Sequence, residues 1–203
     1  MSMILQAIVN HGHKHKLDTA IIVDGMQYTY GDLYDDVIER VQGIENDNCI
    51  THIINSERHI ILIDTEFVYE QLILWLAALY SGYIPIVLHP HMDNTYRLQL
   101  MNLLGSIDIP IEAQFGVLTS GTTGIPKPLW RTEKSWADYF DIQNNIFHID
   151  DTTSIFVHGS FSFTGNTNMI LAVLWAGGQI ITSDYLQPKR WQSLIQSHRC
   201  THM

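Results

Sequence analysis

The feature that most constrains this chain is an end-to-end alternation of short, β-rich apolar runs with longer segments of helical period, punctuated by glycine. Ala20-Ile21-Ile22-Val23 and residues 59–64 (HIILID), 84–88 (IPIVL), 115–119 (FGVLT), 154–157 (SIFV) and 179–181 (QII) have the length and content of buried strands. Between them, apolar residues recur at three- and four-residue spacing. Leu33, Val37 and Val41 end at Gly43, and Leu72, Trp75, Leu76 and Leu79 end at Gly82. A further helix is capped by Asp93 and closed by Gly105, another covers 134–145, one opens at Thr164 or Asn166 and stops at Gly177-Gly178, and a last one covers 191–198. This order predicts an α/β fold, a largely parallel sheet flanked by helices. Asp24-Gly25 predicts a hairpin turn into residues 27–29, with Thr29 capping the next helix. Pro85 falls early in its strand, where a missing donor is tolerated.

Residues 200–203 read as the first residues of one more strand, so the chain is expected to be an incomplete domain over 1–203. Apolar side chains on the helices ending at Ala176 and His198 would then be uncovered, favouring self-association through that face.

Apolar residues make up 46% of the 203 and charged residues 16%, the balance of a chain that folds. Eleven Lys and Arg against twenty-one Asp and Glu leave a formal charge of −10, with no basic run to offset it. Such a surface repels nucleic-acid phosphates and anionic lipid, which argues against both as partners. A small phosphorylated ligand remains compatible, because backbone N–H groups and one lysine hold phosphates locally. Cys49 and Cys200 lie far apart without zinc-ligand spacing, and no leader-like segment is read at the start, so a reduced, cytoplasmic protein is expected. The longest apolar run, residues 72–80, is too short to span a bilayer.

Residues 117–127, VLTSGTTGIPK, carry the most chemistry. Gly121 and Gly124 permit close backbone approach to a ligand; Ser120, Thr122 and Thr123 add hydroxyls; Lys127 adds a charge, and Pro126 stiffens the exit before it. These are the ingredients of a polyphosphate cradle, although the spacing is not that of a Walker loop, and on composition alone an ordinary turn is the better reading. His11-Gly12-His13-Lys14-His15 reads as a flexible, solvated segment and not a metal site, since nothing nearby fixes its geometry. Asp35-Asp36 and Asp150-Asp151 read as solvated carboxylates, so no metal ligands are assigned.

The string TSGTTGIPK resembles the ATP-grasping loop of the adenylate-forming (AMP-binding) superfamily, which includes acyl-CoA synthetases, nonribosomal-peptide adenylation domains and firefly luciferase. Other segments resemble the family in the same order. Tyr28-Thr29-Tyr30-Gly31-Asp32-Leu33 is similar to its LTYxEL element, residues 79–86 to LxAGxxxVPL, and Trp175-Ala176-Gly177-Gly178-Gln179-Ile180 to xxGGxxV. Residues 158–170 stand where the family has its aromatic-rich acyl-pocket segment. The resemblance covers nearly all of this chain and well under half of a complete enzyme.

The resemblance implies that Thr119, Ser120, Gly121, Thr122, Thr123, Gly124 and Lys127 contact the β- and γ-phosphates of ATP while a carboxylate attacks the α-phosphorus. It implies Mg2+ as a companion of ATP and coenzyme A, or a carrier-protein arm, as the thiol that then displaces AMP. Phe161, Phe163 and Gly165 are implied as substrate-pocket residues. Two positions depart from the family pattern: Pro128 replaces the glycine that usually follows Pro-Lys, and the segment Phe161-Ser162-Phe163-Thr164-Gly165 lacks the histidine of many acyl-CoA synthetases. Neither the family's YGxTE element nor its TGD element occurs, nor its carboxy-terminal domain with the catalytic lysine, so no catalytic residue is assigned within the chain. The implied function is ATP-dependent activation of a carboxylic acid in a larger enzyme, with this chain alone inert. The alternatives are an inert binding or regulatory module, and an amino-acid-activating domain serving a carrier protein.

Overall fold

The computed structural model describes residues 2–14, 16–56, 58–119 and 126–203. The chain begins with α1 (Met3–Lys14), whose Ile4, Leu5, Ile8, Val9 and Gly12 are buried. A hairpin of β1 (Thr19–Val23) and β2 (Met26–Thr29) follows, turning at Asp24-Gly25. Thr29 ends the hairpin and caps α2 (Tyr30–Gly43) reciprocally: its hydroxyl accepts from the Asp32 N–H at 3.1 Å, and the Asp32 carboxylate accepts from the Thr29 N–H at 2.8 Å. After one 3-10 turn (Ile44–Asn46) come β3 (Ile50–Asn55), β4 (Arg58–Ile63), α3 (Val68–Tyr80), β5 (Ile84–Val87) and α4 (Asn94–Leu104). The remaining elements are β6 (Phe115–Leu118), β7 (Pro128–Arg131), α5 (Glu133–Phe147), β8 (Ser154–Phe156), α6 (Thr164–Ala176), β9 (Gln179–Thr182) and α7 (Pro188–Ser197).

The strands form one sheet in the order β2-β1-β9-β8, a second in the order β3-β4-β5, and the pair β6-β7. β9 runs parallel to β1 and β8, with Ile180 opposite both Ile21 and Ile155. β4 runs parallel to β5, with Ile61 opposite Pro85. Parallel returns need a crossover, and α3 and α6 supply it for β4–β5 and β8–β9. Hairpins add the antiparallel partners β2, β3 and β7. This is the mixed α/β architecture, with helices against the sheets, that the alternating pattern predicts. β6 packs beside β5 at Gly116, where a Cβ would come within 2.9 Å of the Ile86 side chain and 3.1 Å of Trp130.

Helix α3 is the centre of the molecule. Every side chain from Leu72 to Leu79 is buried, because the helix lies between β1 of the first sheet and β4 and β5 of the second. Trp75, 2% exposed, stands edge-on to Phe115 at 5.2 Å and to Phe161 at 5.8 Å, and Phe115 meets Trp136 at 4.9 Å. Each such aromatic pair adds about 0.5–1.5 kcal/mol beyond its buried area. One aromatic file therefore ties α3 to the β6-β7 pair, to α5 and to the segment before α6.

Several features correct the sequence reading. The histidine-rich stretch is helical, the last turn of α1, with His13 and Lys14 exposed and Gly12 buried; His15 itself lies outside the described residues. His11 is half-buried, with Nε2 3.1 Å from the Trp175 carbonyl oxygen. It packs over Gly177, whose φ is 86° and whose Cβ, were there one, would stand 2.7 Å from the imidazole, so no side chain fits. β3 and β7 are strands that the apolar patterns do not announce: β3 carries Thr51 and His52 in its interior, and β7 is four residues long and opens on Pro128. The helix ending at Ala176 is not uncovered: Ile170, Leu171, Ala172, Val173 and Leu174 are fully buried. Exposed apolar side chains gather instead on α5, at Tyr139, Ile142, Ile146 and Phe147. Near the chain's end, His202 makes a single parallel bridge to Ile155, and the Phe156 N–H donates to the His202 carbonyl at 3.1 Å. No helix among the described residues is long and apolar enough to cross a membrane.

Candidate functional site

A cavity of about 550 Å³ opens where β5 and β6 end. It is lined by His89, Met92, Asp93 and Tyr96 after β5, by Leu118, Thr119 and Pro126 around the β6–β7 turn, and by Ser162, Phe163 and Thr164 at the start of α6. Ligands in open α/β sheets bind outside the carboxyl ends of the strands, and the volume is typical of small-molecule sites, roughly 300–1,000 Å³.

The wall before α6 is fixed by buried amides. Gln71 is fully buried in the apolar helix α3; its amide N–H donates to the Thr65 carbonyl at 2.5 Å. Its Oε1 accepts from the Phe161 N–H at 2.7 Å and the Ser160 hydroxyl at 3.1 Å. Asn166 donates to the carbonyls of His158 (3.1 Å) and Ser160 (3.2 Å), and the Thr167 hydroxyl donates to the Phe161 carbonyl. These bonds set the turn that presents Ser162 and Phe163. Helix α6 has no side-chain cap at its amino end. The Ser162 hydroxyl is buried and has no partner among the described residues. An unmet buried hydroxyl costs about 1–3 kcal/mol, which a ligand that pairs with it would recover.

The opposite wall is anchored by one strand bond and otherwise held by short-range bonds. The Leu88 N–H donates to the Ile63 carbonyl at 2.9 Å, extending β5 by one step before His89. Asp93 caps α4, accepting from the Thr95 N–H at 2.8 Å. That N–H first, and the Thr95 hydroxyl second, hold its carboxyl below the usual carboxylate range. Thr119 N–H donates to the Lys127 carbonyl at 3.0 Å, and its hydroxyl to the same oxygen at 3.3 Å. The ladder alternates from that bonded pair, so Leu118–Pro128 is a non-bonded pair and the N–H that Pro128 lacks is not required.

Of the residues the resemblance implies, Thr119 is at the cavity rim and Lys127 is held by its carbonyl with its side chain exposed. Ser120, Gly121, Thr122, Thr123 and Gly124 lie outside the described residues. Phe163 lines the cavity and is half-exposed; Phe161 faces the aromatic core and is 3% exposed. Gly165 is exposed on the first turn of α6, with nothing within 4 Å of where its Cβ would be. Sequence reasoning missed Gln71, Asn166, Thr167 and His89. Gln71 left little signal, since it stands beside Glu70 just before the apolar run of residues 72–80. His89 left only an imidazole between the end of a predicted strand and a proline.

No protein-family model matches the chain. Among curated proteins it is 22% identical over 213 residues to VraA of Staphylococcus aureus strain MRSA252, provisionally named a long chain fatty acid-CoA ligase, covering 94% of this chain and 44% of that protein. The VraA of strain COL is also 22% identical, over 222 residues, 98% of this chain and 46% of that protein. The fold matches the Klebsiella oxytoca NpsA amino-terminal subdomain with a TM-score of 0.79 at 16% identity, over 98% of this chain and 60% of that one. It matches o-succinylbenzoate CoA synthetase (MenE) of Bacillus subtilis, solved with its acyl-adenylate OSB-AMP, with a TM-score of 0.76 at 13% identity, over 97% and 60%. A provisionally named long-chain-fatty-acid CoA ligase of Rhodopseudomonas palustris gives 0.72 at 12%, over 99% and 62%. The chain thus spans less than half the length of the curated relatives it matches. Motif string, relatives and fold agree in one direction: the chain is similar to VraA in sequence and shares the fold of the amino-terminal part of these adenylate-forming enzymes.

Proposed function

We propose that this chain is the ATP- and acid-binding part of an enzyme that activates a carboxylic acid as an acyl-adenylate and passes the acyl group to a thiol, coenzyme A by preference. The observation that supports the reading is the position of the cavity. It lies at the ends of β5 and β6, and its rim carries the turn that leaves at Thr119 and returns at Lys127. In this reading the acid's carboxylate oxygen bonds to the α-phosphorus and the bond to the bridging oxygen breaks, releasing pyrophosphate. Thr119, Ser120, Gly121, Thr122, Thr123, Gly124 and Lys127 hold the β- and γ-phosphates, with Lys127 neutralising the leaving charge. Mg2+ would accompany ATP. The described residues contain no group of three or more His, Cys, Asp or Glu to hold a cation, so the charge role assigned to this chain is that of Lys127.

The reading is tested by calorimetric titration of the 203-residue chain with ATP. Binding is expected, and Lys127→Ala is expected to weaken it roughly tenfold, the loss of one charge-assisted contact. Unchanged affinity would assign Lys127 a structural place only. Acid-dependent ATP–pyrophosphate exchange by the chain alone is expected to be absent, since neither YGxTE nor TGD occurs in it. Robust exchange would show that those elements are dispensable.

A further inference from the structure

A second cavity, of about 440 Å³, shares no lining residue with the first and lies outside the carboxyl ends of β1 and β9. Those strands run parallel, with Val23 opposite Thr182, so Asp24 and Asp184 fall just beyond their ends, where open α/β sheets receive ligands. Phe67 and Tyr185 line it with half-exposed rings, and exposed Met26 lies beside them. Three carboxylates and one guanidinium face this space, and they are unevenly committed. Both oxygens of Asp24 are taken, Oδ1 by the Ser183 hydroxyl at 2.7 Å and Arg190 Nε at 2.5 Å, Oδ2 by the Asp184 N–H at 3.1 Å. Both oxygens of Glu70 are taken, by Arg40 at 3.1 Å and the Thr65 hydroxyl at 2.6 Å. Asp184 accepts through Oδ1 from the first N–H of α3, that of Val68, at 2.9 Å, and its Oδ2 has no partner among the described residues. Burial raises the Asp184 carboxyl above its ordinary range, more than the Val68 N–H lowers it, and the Asp24 and Glu66 carboxylates add to the rise. A cation at Oδ2 would offset all of these.

We propose that this cavity binds a primary ammonium group carried on a short apolar stem, with the head on Asp184 Oδ2 and the stem against Phe67 and Met26. An ammonium has three donors and no acceptor. Asp184 Oδ2 takes one of them, and the Tyr28 and Tyr185 hydroxyls, which bond to no described residue, are acceptors for such a head as well. Aromatic faces attract a cation by about 0.5–2 kcal/mol, and Tyr185 already holds the Arg190 guanidinium 5.4 Å from its centroid. An anion is disfavoured, because Asp24 engages the one guanidinium on the lining and the remaining charge there is negative. A bare metal ion is disfavoured too, because the described residues bring no three His, Cys, Asp or Glu side chains together to hold one. The rings and the thioether instead offer surface that a hydrocarbon stem covers and a hydrated metal ion does not. This site is independent of the nucleotide reading, which rests on the other cavity.

The test is titration calorimetry on the 203-residue chain with 2-phenylethylamine and with 2-phenylethanol, which share a stem and differ in the head. It is run at about pH 7.5, where the amine is protonated and an aspartate is ionised. The amine is expected to bind at least about tenfold more tightly than the alcohol, the effect of one charge-assisted contact. Asp184→Asn, which keeps an acceptor for the Val68 N–H, should lose about tenfold in amine affinity and leave the alcohol unchanged. Phe67→Ala should weaken both ligands about fivefold, since it removes stem contact and not the charge. Circular dichroism of each variant establishes that it is folded, and ATP affinity should be the same in Asp184→Asn as in wild type. Nα-acetyl-lysine amide binding more tightly than the free amine would place the head on a peptide lysine, and binding more weakly would place it on a small amine; either keeps the site. Equal affinity for amine and alcohol, an Asp184→Asn chain that binds the amine like wild type, or no binding of either ammonium at about 10 mM would overturn it. None of these results touches the nucleotide reading, which stands or falls on the ATP titration.

Discussion

The two walls of the cavity are held by different means. The wall before α6 is tied to the core across the chain: Gln71 reaches Ser160 and Phe161, 89 and 90 residues away in sequence. The wall after β5 and β6 has one strand bond to a distant residue, Leu88 to Ile63, and beyond it is held by short-range bonds, His89 to the next residue, Asp93 to the second residue on, Thr119 to a residue eight away. A wall braced by a buried side chain on the first turn of α3 cannot move without leaving buried polar groups unpaired, whereas locally bonded turns can adjust at little cost to the core. The same cavity thus combines a fixed face, bearing Ser162 and Phe163, with an adaptable one, bearing His89 and the turn at Thr119.

The largest effect should come from Gln71→Leu. It removes the acceptor for the Phe161 N–H and the Ser160 hydroxyl and the donor to Thr65, inside a fully buried site. Buried donors left unpaired cost about 1–3 kcal/mol each, and the leucine's own burial offsets part of this, so about 3 kcal/mol of stability should be lost in urea unfolding. Phe161 amide exchange should also quicken. A loss under about 1 kcal/mol would mean that the fixed wall does not depend on Gln71.

Thr119→Val probes the other wall. It removes one hydroxyl bond, 3.3 Å long and exposed, and leaves the backbone bond to Lys127 in place. A stability change of about 0.5 kcal/mol is expected in the same unfolding experiment. A loss as large as that of Gln71→Leu would erase the distinction between the walls.

What the sequence made legible divides along the same line. Asp93 as the cap of α4, Gly105 as its end, Thr29 as the cap of α2 and the Asp24-Gly25 turn are local signals, set by short-range chemistry, and each sits where residue type and spacing place it. The alternation of strands and helices carried the fold class, and the string from Thr119 to Lys127 carried the resemblance to adenylate-forming enzymes. Long-range partnerships were not legible. Nothing local tells that Gln71 meets Phe161, that His11 docks against Trp175, or that Gln114 and Ser2 converge on buried Glu133. His89 is illegible for the same reason, since its neighbour Phe163 lies far away in sequence. α1 is a different case: Ile4, Leu5, Ile8 and Val9 show helical period, and the histidines beside them draw the reading toward solvent.

The smallest effect sharpens the comparison through pH. The Thr95 N–H and hydroxyl hold the Asp93 carboxyl below the ordinary carboxylate range in the folded chain. A lowered folded value means that the unfolded chain binds the proton more readily. The cap therefore contributes its stability above the ordinary carboxylate value, about pH 3.9, and loses it as pH falls through the folded value below that. Asp32 and Asp150 are lowered in the same direction, so whole-molecule acid unfolding mixes several groups. The local readout is amide exchange at Thr95 and at Arg97, whose N–H donates to the Asp93 carbonyl at 2.9 Å. Protection there, measured relative to global opening, should fall with pH in wild type and hold level in Asp93→Asn, which keeps a capping acceptor and cannot titrate. Thr167 offers the control on the fixed wall: its N–H bonds to the Phe163 carbonyl at an end of α6 that has no side-chain cap, so its relative protection should not follow Asp93's titration. Parallel behaviour of the Thr95 and Thr167 amides would show that the two walls open together, and that the local bonding of the β5 side does not make it independently adaptable.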